Sequence, residues 1–370
     1  MGREPFGVEA VGSVALRTFT ARQHSPQRIQ TAHSMDGPHV NAMAGGRGGD
    51  SHLADYDDLP QGHFYDPDAE YEPDPEYAAT LAPDAARQRR ERVGPTGRPL
   101  PYFPIPGPLA EHGPAKIIAM CNQKGGVGKT TSTINLGAAL AEYGRRVLLV
   151  DFDPQGALSV GLGVNPMELD LTVYNLLMER GMAADEVLLK TAVPNMDLLP
   201  SNIDLSAAEV QLVSEVARES TLQRALKPLM ADYDYIVIDC QPSLGLLTVN
   251  ALTAAHKVIV PLECEFFALR GVALLTETIE KVQERLNPEL ELDGILATMY
   301  DSRTVHSREV LARVVEAFDD HVYHTVIGRT VRFPETTVAG EPITTYASNS
   351  VGAAAYRQLA REVLARCHAE

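Results

Sequence analysis

The hydrophobic pattern of the chain changes near residue 116. From there to the end, short apolar runs rich in β-branched residues alternate with longer segments in which apolar residues recur every three or four positions. The runs predict strands buried on both faces, and the longer segments predict amphipathic helices. We therefore expect an α/β fold, with a mostly parallel, twisted sheet covered by helices on both faces.

The elements follow from this alternation and from stop signals such as Gly144 after the first helix. The predicted strands cover residues 116–122, 145–153, 195–202, 233–240, 257–263, 292–301 and 321–327. The predicted helices cover residues 131–144, 204–215, 246–255, 268–286, 306–318 and 350–367. In a sheet of this kind, ligands bind at the carboxyl ends of the strands.

Residues 1–114 show neither the alternation of a strand nor the three-to-four-residue recurrence of apolar positions in a helix. They hold 15 of the 25 prolines and 13 of the 28 glycines. This composition predicts a disordered extension that precedes a folded domain over residues 115–370. Its last part, 98–108, has the composition of an extended polyproline-type linker. Two interpretations stay open. The extension is an unstructured tail, or its acidic, tyrosine-bearing part (55–77) binds a partner such as a polar scaffold.

Charge and cysteine usage narrow the classes of function. The net charge is −17, so any contact with DNA must come from a local basic patch and not from the whole surface. No stretch approaches the ~20 apolar residues of a spanning helix, and no signal peptide is recognised. The four cysteines lie far apart and form no CxxC pair, which indicates buried thiols in a reducing cytoplasm. They are Cys121, Cys240, Cys264 and Cys367.

The segment 122–131, NQKGGVGKTT, is typical of a phosphate-binding loop between a strand and a helix. Its backbone N–H groups and the helix N-terminus can face phosphate oxygens of ATP, while Lys129 reaches the β- and γ-phosphates. The hydroxyl of Thr130 can hold Mg²⁺. The predicted nucleotide-binding residues are Gly125, Gly126, Val127, Gly128, Lys129, Thr130 and Thr131.

Carboxylates end two further predicted strands. Asp239 closes one apolar run, and Asp151 and Asp153 close another. Because parallel strands bring their carboxyl ends to one edge, these groups should meet the phosphate loop. One of the acids can lie near Mg²⁺ while another orients the attacking water.

A second lysine, Lys124, stands in the loop where the usual pattern does not need one. Lys129 already serves the phosphates of its own subunit. Lys124 lies at the outer lip and can cross to the nucleotide of a facing subunit, as an arginine finger supplied in trans does. The sequence thus predicts a homodimer that forms with ATP.

These motifs resemble the ParA/Soj chromosome- and plasmid-partition ATPases of the deviant Walker A (MinD/ParA) family, over about residues 115–368. The resemblance implies a Mg²⁺-dependent ATP hydrolase with weak intrinsic activity. It implies that Lys124 crosses the dimer, that Asp153 serves hydrolysis, and that Asp151 and Asp239 lie near the metal with Thr130. The family usually has a proline where this chain has Gln241.

The resemblance also implies partners: non-specific double-stranded DNA, a ParB-type centromere-binding protein that stimulates hydrolysis, and a nucleoid-associated location. Arg303 and Arg332 align with arginines that such proteins use for DNA, and Arg329 is a third candidate. Arg308 and Arg313 are weaker candidates.

Two alternatives differ in class. A MinD-like membrane-cycling ATPase would need a basic amphipathic C-terminal helix, and residues 356–370 have arginines but no Phe or Trp face. A polar-scaffold adaptor would use the ATPase as a timer and the extension as its binding part. A metal cluster is rejected because Cys240 has no second cysteine in the matching place.

Overall fold

The computed structural model describes residues 93–265 and 268–368, so the disorder predicted for residues 1–92 lies outside the described residues. A seven-stranded sheet runs through the described part, in the order β3-β4-β2-β5-β1-β6-β7. All pairs are parallel except β3 with β4. The strands are β1 (Lys116–Met120), β2 (Val147–Phe152), β3 (Leu189–Lys190), β4 (Met196–Leu199), β5 (Tyr235–Cys240), β6 (Lys257–Glu263) and β7 (Glu291–Thr298).

Helices connect the strands and cover the sheet. They are α1 (Lys129–Glu142), α2 (Ala157–Gly161), α3 (Val173–Met178), α4 (Ala184–Val187), α5 (Leu205–Gln211), α6 (Thr221–Leu226), α7 (Leu246–Ala254), α8 (Ala268–Arg285), α9 (Val305–Phe318), α10 (Arg332–Ala339), α11 (Ile343–Tyr346) and α12 (Val351–His368). None of the described helices is long and apolar enough to cross a membrane.

Two apolar cores lie on opposite faces of the sheet. Along β1, Ile117 and Ala119 belong to one core, while Ile118 and Met120 belong to the other. This alternation is the two-residue period of a strand that is covered on both sides. The predicted fold class, a mostly parallel sheet between two helical layers, is confirmed.

The strand predicted over residues 321–327 is wrong. Only an isolated bridge between Val322 and Ile295 forms there. The backbone N of Tyr323 still donates to the carbonyl of Ile295 at 3.0 Å. The next two N–H groups go to Glu362, whose carboxylate accepts from His324 at 2.7 Å and from Thr325 at 2.9 Å. A buried side chain from α12 thus interrupts the pairing with β7, which resumes only at Ile327, whose backbone N donates to the carbonyl of Ala297.

Two other local predictions need correction. The helix predicted over residues 204–215 ends at Gln211 and continues as a 3₁₀ turn over Leu212–Ser214. The short antiparallel strand β3 was not predicted, because two residues carry too little pattern to be recognised.

Residues 93–114, which the sequence analysis assigns to the extension, contact the domain; we call them the strap. Arg98 donates to the carbonyl of Asp319 at 2.8 Å, just after α9. Arg145 donates to the carbonyl of Gly107 at 2.7 Å, and the ring of His112 lies 2.8 Å from the carboxylate of Asp234. The domain boundary at residue 114 stays a prediction.

Candidate active site

The phosphate-binding loop lies between β1 and α1, at the carboxyl edge of the sheet. Gly126 (φ 75°) and Gly128 (φ 85°) adopt left-handed conformations, which side chains disfavour. These turns leave the N-terminus of α1 facing the loop. Lys129 is 7% exposed, and its Nζ donates to the carbonyl of Lys124 at 3.1 Å. The loop therefore closes around its own lysine and has the form of an anion cradle.

A cation site lies beside the cradle. Thr130 Oγ1 donates to Asp239 Oδ2 at 2.6 Å, and Asp239 Oδ1 is buried with no hydrogen-bond partner among the described residues. Burial, and next the charge of Asp151, raise the pKa of Asp239 to about 8. A hydroxyl beside an unsatisfied carboxylate oxygen fits a hard cation such as Mg²⁺, which favours the ionised carboxylate.

Asp151 and Asp239 are direct neighbours on β2 and β5. Asp151 has a structural task, because its Oδ2 accepts from the backbone N of Ser159 at 2.8 Å and from its hydroxyl at 2.7 Å. Burial raises the pKa of Asp151 to about 6, although the bonds from Ser159 oppose this shift. Asp153 follows β2, and its carboxylate accepts from the backbone N of Gln155 at 3.0 Å.

Lys124 stands at the mouth of the site with a half-exposed side chain. Its Nζ lies 3.0 Å from Glu263 Oε2 and 2.5 Å from Glu265 Oε2, both just at the end of β6. Partial burial lowers the pKa of Lys124, but the hydrogen bonds to these two glutamates outweigh it and the net shift is upward. The extra lysine of the loop is thus held by its own subunit in this state.

Two supporting residues were missed by the sequence analysis. Asn122 donates to the carbonyl of Pro261 at 2.7 Å and accepts from the backbone N of Lys124 at 2.9 Å. Thr298, at the end of β7, donates to the carbonyl of Val127 at 2.8 Å. The position of Asn122 directly before the loop could have indicated its role. The role of Thr298 could not be predicted, because it lies 171 residues from its partner Val127.

Gln241, which stands where the resembling family usually has proline, contacts α5. Its Nε2 donates to Glu209 Oε1 at 3.0 Å. The loop after Asp239 is therefore tied to the surface of a helix by a side chain that proline does not have. Gln241 removes no residue from the cradle.

The three predicted DNA-binding arginines lie in two neighbouring segments. Tyr300 bridges Gly328, which brings Arg303, Arg329 and Arg332 to one region; we call these three residues the arginine surface. Their side chains are 87%, 65% and 54% exposed, and they pair with Asp301, Glu263 and Glu335 respectively. Exposed pairs of this kind are weak and are screened by salt, so phosphate groups can compete for the arginines.

The cysteines and the arginines of α12 have structural surroundings. All four cysteines are free thiols, with three buried and Cys367 half-buried, as the spacing predicted. Two of the three arginines of α12 form ion pairs within the domain. Arg357 pairs with Glu142, and Arg366 pairs with Glu362 and lies 4.2 Å over the ring of Tyr323.

Comparison with known proteins agrees with this geometry. Residues 115–292 match a sequence family described as an AAA domain. A Mycobacterium tuberculosis (strain H37Rv) protein is 68% identical over 274 residues, 74% of this chain and 86% of that protein. The sporulation initiation inhibitor protein Soj of Bacillus subtilis is 48% identical over 250 residues, 68% of this chain and 98% of Soj.

A solved Mycobacterium smegmatis structure, described as cobyrinic acid a,c-diamide synthase with bound ADP and magnesium, has 46% identity and a TM-score of 0.61. The match covers 69% of this chain and 96% of that chain. The same protein has been solved with a bound ATP analogue and magnesium.

The cradle, the cation site and the parallel sheet define a Mg²⁺-dependent P-loop ATP hydrolase. Within that class, the chain belongs to the Soj/ParA family of chromosome-partitioning ATPases. The resemblance, the enzyme class and the cofactors ATP and Mg²⁺ that the sequence predicted are confirmed.

Proposed function

We propose that this ATPase segregates DNA: its ATP-bound form is a sandwich dimer that binds double-stranded DNA without sequence preference, and hydrolysis releases it. A ParB-type centromere-binding protein stimulates that hydrolysis. The observation that carries the proposal is the arginine surface, three exposed guanidinium groups gathered on an otherwise acidic chain. Counterion release from DNA phosphates would supply the affinity.

Each residue of the site has a role in this cycle. The backbone of residues 125–131 and Lys129 bind the phosphates of ATP. Thr130 and Asp239 hold Mg²⁺, which would polarise the γ-phosphate and balance its charge. Asp151 supports the loop after β2 through Ser159. Asp153, on that loop, orients the attacking water, and turnover is slow because no strong base stands there.

Dimerisation would exchange the partners of Lys124. In the isolated chain, its ammonium group is paired with Glu263 and Glu265. The phosphates of a nucleotide in a facing subunit would offer Lys124 several anionic oxygens inside a closed interface, whereas water partly screens the two carboxylates. ATP in both subunits would therefore draw each Lys124 across the interface, and the dimer would depend on the triphosphate.

The test is binding of the full chain to a random-sequence DNA duplex, with Mg²⁺ and either ATP or ADP, over a series of salt concentrations. The proposal expects binding with ATP only, a steep fall with salt, and loss in the R303E/R332E double variant. The matched control is R180E/R285E, which makes the same charge change at two exposed arginines elsewhere. Equal losses in the two double variants would mean that net charge, and not the arginine surface, governs binding.

Absence of DNA binding in both nucleotide states would overturn the proposal. Anionic lipid vesicles then test the membrane-cycling alternative, which expects lipid binding that is indifferent to Arg303 and Arg332.

A further inference from the structure

Helix α5 and its flanking residues, 203–216, carry apolar side chains on two opposite faces. The inner face belongs to the core through residues that are at most 2% exposed: Leu205, Ala208 and Leu212. The outer face carries four exposed side chains, which we call the apolar stripe: Ile203 (58% exposed), Val210 (76%), Val213 (58%) and Val216 (90%). The outer face of a surface helix is ordinarily polar, so an apolar one indicates a surface that another molecule covers.

The apolar stripe is preformed on a fixed element. Its first three members are separated by seven and then three residues, intervals that keep side chains on one face of a helix. The two neighbours of Val210 along the chain tie α5 to the rest of the domain. Glu209 accepts from Nε2 of Gln241 at 3.0 Å. Gln211 accepts from the hydroxyl of Tyr174 at 3.2 Å.

The charge of this segment limits what can cover the stripe. Residues 191–217 include no Lys or Arg, and residues 203–216 include three acids: Asp204, Glu209 and Glu215. Negative charge on this face repels DNA phosphates and anionic lipid headgroups. The covering molecule that fits an apolar, acidic surface is therefore a protein.

The apolar stripe lies at the edge of the sheet that the proposed dimer would bury. Strand β4 ends at Leu199, just before the stripe begins, and its parallel neighbours bring this end to the same edge as the phosphate loop. The loop after β2, which carries Asp153, also passes there, because a Cβ on Gly156 would lie 3.0 Å from the carbonyl oxygen of Ser201. The stripe and Lys124 thus belong to one edge of the molecule.

We propose that a second copy of this chain covers the apolar stripe in the ATP-bound state. This inference rests on the proposed function for the dimer, and it adds the surface that holds the dimer together. A stable interface buries ~800 Å² per partner around an apolar centre. Two crossing lysines and two nucleotides make the interface depend on ATP, but they supply no apolar surface. The stripe supplies it at the same edge.

The first test measures dimerisation of the full chain by sedimentation with ATP and Mg²⁺, and again with ADP. In V210E/V213E, two charges enter the centre of the stripe. We expect ATP affinity within about twofold of wild type, which also shows that the domain is folded, and an ATP dimer at least about a hundredfold weaker. The control V338E/V351E makes the same change at two valines that are 91% and 87% exposed elsewhere. It should change dimerisation by less than about threefold.

The second test leaves the stripe apolar. The full-length variant Val213→Cys is treated with a maleimide, and modification at position 213 is followed by mass spectrometry. We expect ATP to slow this modification at least about tenfold at protein concentrations where the dimer forms, and not in dilute protein. Val338→Cys is the control, and its modification should not change with nucleotide.

A wild-type ATP dimer that V210E/V213E leaves intact, with position 213 equally reactive in ATP and ADP, would overturn the inference and keep the proposed function. Protection of position 213 at every protein concentration would also overturn it, because the chain would then cover the stripe itself. Absence of an ATP dimer in the wild type would overturn the proposed sandwich dimer together with this inference.

Discussion

At the scale of single residues, Lys124 is the side chain whose partners the proposed dimer would change. Its ammonium group is held by Glu263 and Glu265 in the isolated chain, and Glu263 also lies 3.5 Å from Arg329. A lysine that crosses to another subunit must first leave these carboxylates. In the isolated chain Lys124 is therefore internally paired, and the proposed dimer would have to break these two contacts.

We predict that Lys124→Ala binds ATP within about twofold of the wild-type affinity, because Lys129 and the backbone of the loop are unchanged. The ATP-dependent dimer should be absent, and turnover should fall by at least about tenfold. Nucleotide titration and sedimentation with ATP measure the two effects. Lys190→Ala, which also removes a lysine paired with a carboxylate, is the control. A normal ATP dimer from Lys124→Ala would refute the role in trans.

At the scale of elements, the end of β7 supports the phosphate loop. Thr298 is 2% exposed and its hydroxyl bonds the carbonyl of Val127. Thr298→Val keeps the shape and removes this bond, which should cost about 1 kcal/mol of unfolding free energy. ATP affinity should fall up to about fivefold, because the hydrogen bond that holds the phosphate loop to the end of β7 is lost.

Urea unfolding and nucleotide titration measure these two changes. Thr278→Val is the matched control, because that hydroxyl bonds only the carbonyl of Leu274 within its own helix. Equal losses of stability and of ATP affinity in the two variants would mean that the bond from Thr298 does not support the phosphate loop.

The contact between the strap and Asp234, directly before β5, predicts that stability depends on pH. Burial raises the pKa of Asp234, but bonds from the backbone N of Arg146, from His112 and from Gly113 outweigh it, so the pKa lies below its ordinary value of 3.8. A carboxylate with a depressed pKa stabilises the fold above its unfolded pKa, and this contribution is lost as pH falls through the folded value.

Asp234→Asn should therefore lower the unfolding free energy by about 1–3 kcal/mol at neutral pH. The difference from wild type should shrink below about pH 4. Urea midpoints from pH 7 to pH 3 measure this, with exposed Asp232→Asn as the control. A difference that is constant with pH would show that the charge of Asp234 does not stabilise the strap.

At the scale of the whole molecule, hydrolysis sets how long the proposed dimer lasts on DNA. Asp153→Ala should reduce ATP turnover by about a hundredfold while ATP binding persists. The ATP dimer should then stay on DNA after excess ADP is added. Release kinetics measured with labelled DNA test this, and Asp170→Ala, an exposed acid farther along the chain, is the control. Normal turnover by Asp153→Ala would mean that another residue orients the water.

The fold class and the residues of the cradle could be predicted because both are local. Runs such as VLLV before Asp151 can only be buried strands, and the loop needs glycines, lysine and threonine in a fixed order. The segment 321–327 has the same apolar pattern and forms no strand, because Glu362 of α12 takes two of its N–H groups and so interrupts the pairing with β7. A pattern within one segment holds no information about such a distant partner.

The sequence by itself determined the class of the protein, since the spacing of the loop and the alternation of strands and helices depend on neighbouring residues alone. The tertiary structure decided which partners the side chains of the site have. Asp151 accepts hydrogen bonds from Ser159, and one carboxylate oxygen of Asp239 has no partner among the described residues. Lys124 is paired with Glu263 and Glu265. The physical reason is that burial and pairing depend on chain segments brought together from afar. These distances, and not residue identity, set the pKa, charge and availability of a side chain.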